Sequence, residues 1–252
     1  MYFDSHAHIA SPEYDADREA VLAAAFSAGV EGIIEVGTDL PTCRDAIKLA
    51  RQYDNIHAAA GIQPYYAGSL ASDTWDILVN LLKEPKVKAL GEIGLDYHYK
   101  TARDAQQQVF FKQLDLARDL GLPVSIHHRD AEKDMLKFIA EGRLDGLQGV
   151  FHCFSGSEKL AQAVVDKGFY ISLAGQITFS NYKKTDLIKG LPLENLLIET
   201  DAPYLTPEPF RGRRYKPELI VHTAEKLARI HDRPTEEVGA ITTANTRKLF
   251  NV

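Results

Sequence analysis

Eight short apolar runs alternate with longer segments of helical period along the 252 residues of this chain. The runs are Tyr2 to Asp4, Gly32 to Val36, Ile56 to Ala60, Val87 to Gly91, Val124 to Ile126, Gly149 to Phe151, Phe169 to Ser172 and Leu196 to Ile198. A strand that reads as a continuous apolar run is buried on both faces, and parallel strands need a crossover helix between them. The helical segments supply those crossovers: Asp15 to Ala28, Thr42 to Gln52, Trp75 to Lys83, Asp104 to Leu120, Glu132 to Ala140 and Glu158 to Asp166. Gly29, Gly121, Gly142 and Gly168 follow four of them, where a left-handed residue ends a helix. Strict alternation predicts an α/β fold, and eight strands favour a single closed (β/α)₈ TIM barrel over an open doubly wound sheet. Neither a Gly-x-Gly-x-x-Gly turn nor a Walker loop occurs. Two further helical stretches, Pro217 to His231 and Thr235 to Phe250, predict an extra C-terminal helix. With no linker, repeat or low-complexity tract, residues 1–252 read as one domain.

Composition narrows the function classes. Apolar residues make up 45% and charged residues 25%, the balance of a chain with a sizeable core. The formal charge of -6 argues against a protein that coats nucleic acid through many phosphate contacts, while leaving room for a local basic patch. Cys43 and Cys153 are too few and too far apart to suggest a disulfide framework or a Cys-based zinc site. Neither a basic-then-apolar leader nor a run of about 20 apolar residues is present. The expectation is a cytoplasmic monomer without a membrane segment.

The chemistry starts at His6-Ala7-His8. Alternate residues of a strand face the same way, so both imidazoles would point to one place, and imidazole is a common metal ligand. An isolated His-x-His is as often two hydrogen-bonded histidines as a metal site. Its position at the end of the first strand changes the weighting, because catalytic residues of such barrels come from the C-terminal ends of several strands. Glu92 after strand four, His127 or His128 after strand five, His152 after strand six and Asp201 after strand eight fall at matching places. Together they make a mixed imidazole and carboxylate set suited to divalent ions. His127 shares its phase with Ser125, and His128 with the apolar Val124 and Ile126, which favours His127 as the inward residue. His57, His98, His222 and His231 fit no ligand pattern and are read as structural. Glu199, in phase with Asp201, would enter the barrel below the site, and alternation turns Cys153 away from it.

Five segments carry a family resemblance: Asp4-Ser5-His6-Ala7-His8, Gly91-Glu92-Ile93-Gly94-Leu95-Asp96, Ile126-His127-His128-Arg129-Asp130, Phe151-His152-Cys153-Phe154-Ser155-Gly156 and Glu199-Thr200-Asp201-Ala202-Pro203. In this order, with a similar Thr242 to Phe250 segment, they resemble the TatD family over nearly the whole chain. The resemblance implies an amidohydrolase-type TIM barrel and a metal-dependent hydrolase, usually described as a DNase. It implies His6, His8, Glu92, His127, His152 and Asp201 as ligands of two divalent ions (Mg²⁺, Mn²⁺ or Zn²⁺), and it supports His127 over His128. Glu92 is the natural bridge between two neighbouring ions, and Asp201 the group to take a proton from an attacking water or to orient it. Glu92 and Asp201 are accordingly the expected catalytic residues, with DNA or another phosphodiester as substrate.

Arg129 and the Ser155-Gly156 turn are candidates for holding phosphate oxygens, with an ion pair to Asp130 and a plain turn as the alternatives. Arg211, Arg213, Arg214 and Lys216 form a basic run beyond the eighth strand, of which Arg211 is the substrate candidate; Lys183 and Lys184 carry less weight. Tyr65, Tyr66, Tyr97 and Tyr99 follow strands three and four and offer faces for bases, or simply pack in the core. Two motifs depart from the family. Gln63 and Tyr65 stand where it usually has two histidines, and Tyr215 and Lys216 stand where it has Asn and Glu, the latter reversing a charge at the expected rim. Two other readings therefore stand beside the nuclease: an ester or amide hydrolase such as a D-aminoacyl-tRNA deacylase, and a metal-binding scaffold that has lost catalysis.

Overall fold

The structure, a computed structural model, describes residues 1–98 and 100–252. Tyr99, one of the four loop tyrosines singled out above, lies outside the described residues. Eight strands pair in parallel in sequence order: β1 (Tyr2–Ala7), β2 (Val30–Val36), β3 (Ile56–Ala60), β4 (Val87–Asp96), β5 (Val124–Arg129), β6 (Gly149–Phe151), β7 (Tyr170–Leu173) and β8 (Leu196–Ile198). Around them lie α1 (Arg18–Ser27), α2 (Leu40–Gln52), α3 (Thr74–Leu82), α4 (Arg103–Leu120), α5 (Glu132–Ala140), α6 (Glu158–Asp166), α7 (Thr185–Lys189), α8 (Ile220–His231) and α9 (Thr235–Phe250). This is the expected TIM barrel with helices between its strands and an added helix at the C-terminus.

Local chemistry explains the boundaries. Helix α2 starts two residues before its predicted Thr42 because Asp39 caps it: the carboxylate accepts from the Thr42 amide at 2.9 Å, and Thr42 Oγ1 accepts from the Asp39 amide at 3.0 Å. Gly121 ends α4 at φ 65°, a left-handed residue as expected. Strands β1, β4 and β5 run further than their apolar runs, through His6, Glu92 and His127. The polar residues that interrupt the hydrophobic pattern are still in the ladder, as Gly94 opposite His127 and Asp96 opposite Arg129 demonstrate.

The barrel interior is built in layers. Phe3, Ile34, Val36, Ala59, Ala89, Val150, Tyr170 and Leu197, from every strand but β5, pack with Leu249 and Phe250 of α9, so the C-terminal helix seals the end where the strands begin. Above this floor the interior turns polar and small, with Ser5 Oγ 2.9 Å from Ser172 Oγ. Among the described residues the seam between β8 and β1 has no strand ladder of its own. It is bridged just past β8 by the Asp201 amide donating to the His6 carbonyl at 2.9 Å and the His8 amide donating to the Ala202 carbonyl at 2.8 Å. Asp4 clasps the same seam, accepting from the Thr200 amide at 2.9 Å and from Thr200 Oγ1 at 2.6 Å. Burial pushes the Asp4 carboxyl up to about 7 even against these donors.

Candidate metal centre

Left-handed residues recur where strands hand over to loops at the upper end of the barrel. Asp130 after β5, Cys153 after β6 and Asp201 after β8 have φ values of 55°, 45° and 55°, a conformation uncommon for residues other than glycine. The sharp turn at Asp201 leaves its carboxylate beside the β1 histidines. Close backbone approach matters as well: Gly94 has φ 137°, and a Cβ there would lie 2.0 Å from the His127 carbonyl oxygen, so only glycine lets β5 carry His127 this close to β4.

The six residues expected from sequence meet here, in three overlapping groups whose ligand atoms lie within 4.8 Å of one another. Glu92, only 2% exposed, is the hub. Its Oε1 lies 2.8 Å from His127 Nδ1 and 3.1 Å from His152 Nε2. Its Oε2 lies 3.7 Å from His6 Nε2 and 3.9 Å from His8 Nε2, and Asp201 Oδ1 faces the same two nitrogens at 3.9 and 3.6 Å. One carboxylate thus presents an oxygen to each of two imidazole pairs. His128 points elsewhere, buried and with both ring nitrogens unpartnered among the described residues, while His127 faces the cluster. Among the described residues, His57, His98, His222 and His231 join none of the three groups.

Three outer nitrogens are held in turn: His8 Nδ1 is 2.8 Å from the Val36 carbonyl, His127 Nε2 is 2.8 Å from Asp96 Oδ2 and His6 Nδ1 is 3.4 Å from Ser125 Oγ. His152 Nδ1 makes no hydrogen bond among the described residues and lies 3.5 Å from Glu199 Oε1. A carbonyl or carboxylate only accepts, so it fixes the ring proton on the outer nitrogen and turns the inner lone pair into the centre. For His127 that lone pair faces a carboxylate oxygen at 2.8 Å, and in the β1 pair the two Nε2 atoms are 3.2 Å apart. Lone pairs so close to one another and to carboxylates require positive charge between them, a proton or a cation.

The electrostatics say the same. Burial opposes charge on His8, yet Asp201 and Glu92 outweigh it and raise its pKa to about 9. Burial is likewise overcome at His152 by Glu92 and Glu199, and at His127 by Asp96 and Glu92, so both are raised. At Glu92 burial favours the neutral acid, but His152, His127 and His6 hold the carboxyl well below its usual range. Burial and the neighbouring His152 instead lower His6 to about 4. The donor set therefore fits divalent cations, which replace the protons such ligands otherwise share.

Two contributors escaped the sequence reading. Asp96, at the end of β4, orients His127; its place in the GEIGLDY segment was visible, but its role needs the register with β5. Gln63, which stands where the family usually has a histidine, donates its Nε2 hydrogen to Glu92 Oε1 at 3.0 Å. At the second departure from the family pattern, Tyr215 is fully buried with its hydroxyl 3.2 Å from Thr223 Oγ1, and Arg214 just before it pairs with Asp17 at 2.6 Å while lying over the Tyr14 ring.

The substrate candidates separate. Arg129 lines a cavity of about 290 Å³ together with Gln63, Tyr65, Asp96, His127 and Tyr204. The Ser155 and Gly156 carbonyls accept from Lys184 Nζ, and a Cβ on Gly156 would lie 2.6 Å from the Phe154 ring, so that glycine serves packing. Arg211 sits over the Phe179 ring at 4.2 Å and 4.0 Å from a Glu208 oxygen.

An eight-stranded parallel barrel whose strand ends gather imidazoles around a shared carboxylate defines the metal-dependent hydrolase class of TIM barrels. The chain belongs to the TatD family: the family model described as "TatD related DNase" matches residues 3–251. It is 40% identical over the full length of both chains to a Bacillus subtilis protein named metal-dependent hydrolase YabD. To the Escherichia coli protein named 3'-5' ssDNA/RNA exonuclease TatD it is 36% identical, with 99% of each chain covered. The crystal structure of the TatD homologue YJJV from Escherichia coli superposes with a TM-score of 0.93 at 33% identity, covering 100% of this chain and 98% of that one.

Proposed function

We propose that the protein is a divalent-metal-dependent phosphodiesterase acting on DNA or RNA strands, with its whole length working as one catalytic domain. The observation that carries this is the set of inward imidazole lone pairs arrayed around the two oxygens of Glu92. His6, His8, Asp201 and one Glu92 oxygen would hold one cation, and His127, His152 and the other oxygen a second. Mixed nitrogen and oxygen donors suit Zn²⁺ and Mn²⁺ and also admit Mg²⁺. Bound cations supply Lewis acidity toward a phosphoryl oxygen and make a water easier to deprotonate.

The remaining steps belong to the protein. Asp201, at 15% exposure the most open carboxylate of the cluster, accepts the proton of the attacking water. As the water oxygen bonds to phosphorus, the opposite P–O bond breaks, and the proton on Asp201 becomes available to the departing oxygen. Arg129, in the cavity next to His127, holds non-bridging oxygens by its charge and fork of donors. The relative named for exonuclease action on single-stranded DNA and RNA supports this choice of bond and substrate.

The test is to incubate the protein with labelled single-stranded oligonucleotides, D-aminoacyl-tRNA and simple esters, with Mg²⁺, Mn²⁺ or Zn²⁺ and with chelator. The expected outcome is metal-dependent oligonucleotide cleavage that Asp201→Asn lowers by roughly 10²- to 10⁴-fold and Glu92→Gln abolishes. Turnover of the acyl substrates alone would overturn the phosphodiesterase, and metal binding without any turnover would favour a scaffold.

A further inference from the structure

A second cavity, of about 410 Å³, opens beside His8 and meets the Arg129 cavity at Gln63 and Tyr204, which line both. The two differ in charge. The Arg129 cavity carries the cation that a phosphate chain needs. Among the described residues the cavity beside His8 has no Lys or Arg on its wall; Thr38 and Thr42 contribute hydroxyls, Tyr66 and Tyr204 rings, and Glu13 and Asp45 exposed carboxylates. Arg18 and Arg214, which grasp carbonyls of the Ala10 to Glu13 loop from outside, are each neutralised by an aspartate, Asp15 and Asp17 at 2.6 Å. Ser11 Oγ is buried and has no hydrogen-bond partner among the described residues.

A strand lying across the centre has one phosphate at the cluster, further phosphates on one side, and whatever lies beyond the scissile bond on the other. Phosphates are drawn to Arg129 and repelled by Glu13 and Asp45. A nucleoside is uncharged, bears hydroxyls and has an aromatic base, which matches a wall of hydroxyls, carboxylate acceptors and tyrosine rings. We infer that the cavity beside His8 receives the uncharged end unit of a nucleic-acid strand, its terminal hydroxyl free, and that Glu13 and Asp45 refuse an end that carries a phosphate. The inference rests on the phosphodiesterase reading and adds to it a rule about which ends are substrates. The refusal comes from like charge, the repulsive half of specificity.

Two measurements test this, on the metal-loaded protein. In the first, single-stranded DNA with both ends hydroxyl is compared with the same strand phosphorylated at the 3′ or at the 5′ end. Phosphate at the end that enters is expected to lower kcat/KM by about 10-fold or more, and the Glu13→Gln, Asp45→Asn double variant to narrow that gap. Equal cleavage of all three strands, or a gap unchanged in the double variant, overturns the inference. The second is calorimetry with thymidine 5′-monophosphate and thymidine 3′,5′-bisphosphate, which needs no turnover. A site of cations alone binds the more highly charged bisphosphate tighter, whereas the acidic cavity is expected to make it the weaker ligand in the wild type but not in the double variant. Tighter binding of the bisphosphate by the wild type overturns the inference even if no oligonucleotide is cut, a result that would separately sink the phosphodiesterase.

Discussion

His127 has an acidic group at each nitrogen, Glu92 inside at 2.8 Å and Asp96 outside at 2.8 Å. The outer partner decides which nitrogen carries the proton, so Asp96 acts on the centre without belonging to it. Asp96→Asn is expected to weaken cation binding at the His127 and His152 pair by about 10- to 100-fold, read by calorimetry, while melting in chelator stays close to the wild type. Loss of fold instead would mean that Asp96 is a structural residue. A pH dependence follows from the same charges. His8 rises to about 9 in the fold from an ordinary value near 6.5, and His127 and His152 are raised too. A raised pKa stabilises below the unfolded value and is lost as pH climbs through the folded one. Metal-stripped protein should therefore melt at falling temperature from about pH 6.5 to 9, and cation affinity should rise over the same window as protons leave the ligands. A stripped protein that gains stability across that window would contradict the protonated cluster. Of these residues, the inward histidines were legible because a two-residue spacing on a strand has one geometric meaning. Asp96 and Gln63 were not, since nothing in a linear sequence says which carboxylate of a neighbouring strand or which loop amide meets a histidine or glutamate.

At the scale of elements, strand order and type were readable, whereas strand length was not. The apolar run of β4 stops at Gly91, yet the strand continues to Asp96, because barrel strands swap core residues for site residues near their ends without leaving the ladder. Helix α7 went unseen: its five residues are too short to carry a period. The close approach of β4 and β5 gives the sharpest test of an element. Gly94→Ala would set a Cβ 2.0 Å from the His127 carbonyl at a backbone angle unfavourable to any side chain. The expected result is a loss of several kcal/mol in urea unfolding, on the order of 3 or more, together with loss of the His127-side cation. A variant that melts and binds as the wild type would mean that β5 can retreat freely.

For the molecule as a whole, the barrel could be anticipated but its manner of closing could not. The sequence contains the Asp4 and Thr200 that clasp the β8 to β1 seam, but their 196-residue separation hides the partnership. That seam has consequences for motion. Elsewhere around the barrel each strand is stitched to its neighbours by a ladder, while here the bridging amides of Asp201 and His8 belong to residues that also face the cluster. Without cations, this is where the wall should breathe first, so those two amides are expected to exchange with deuterium well before amides inside the β4 to β5 ladder, and to slow sharply when Zn²⁺ or Mn²⁺ is added. Exchange unaffected by metal would deny the link. If the link holds, a cation bound at His6, His8 and Asp201 acts as a latch on the barrel, and cation supply sets how long the ring stays shut.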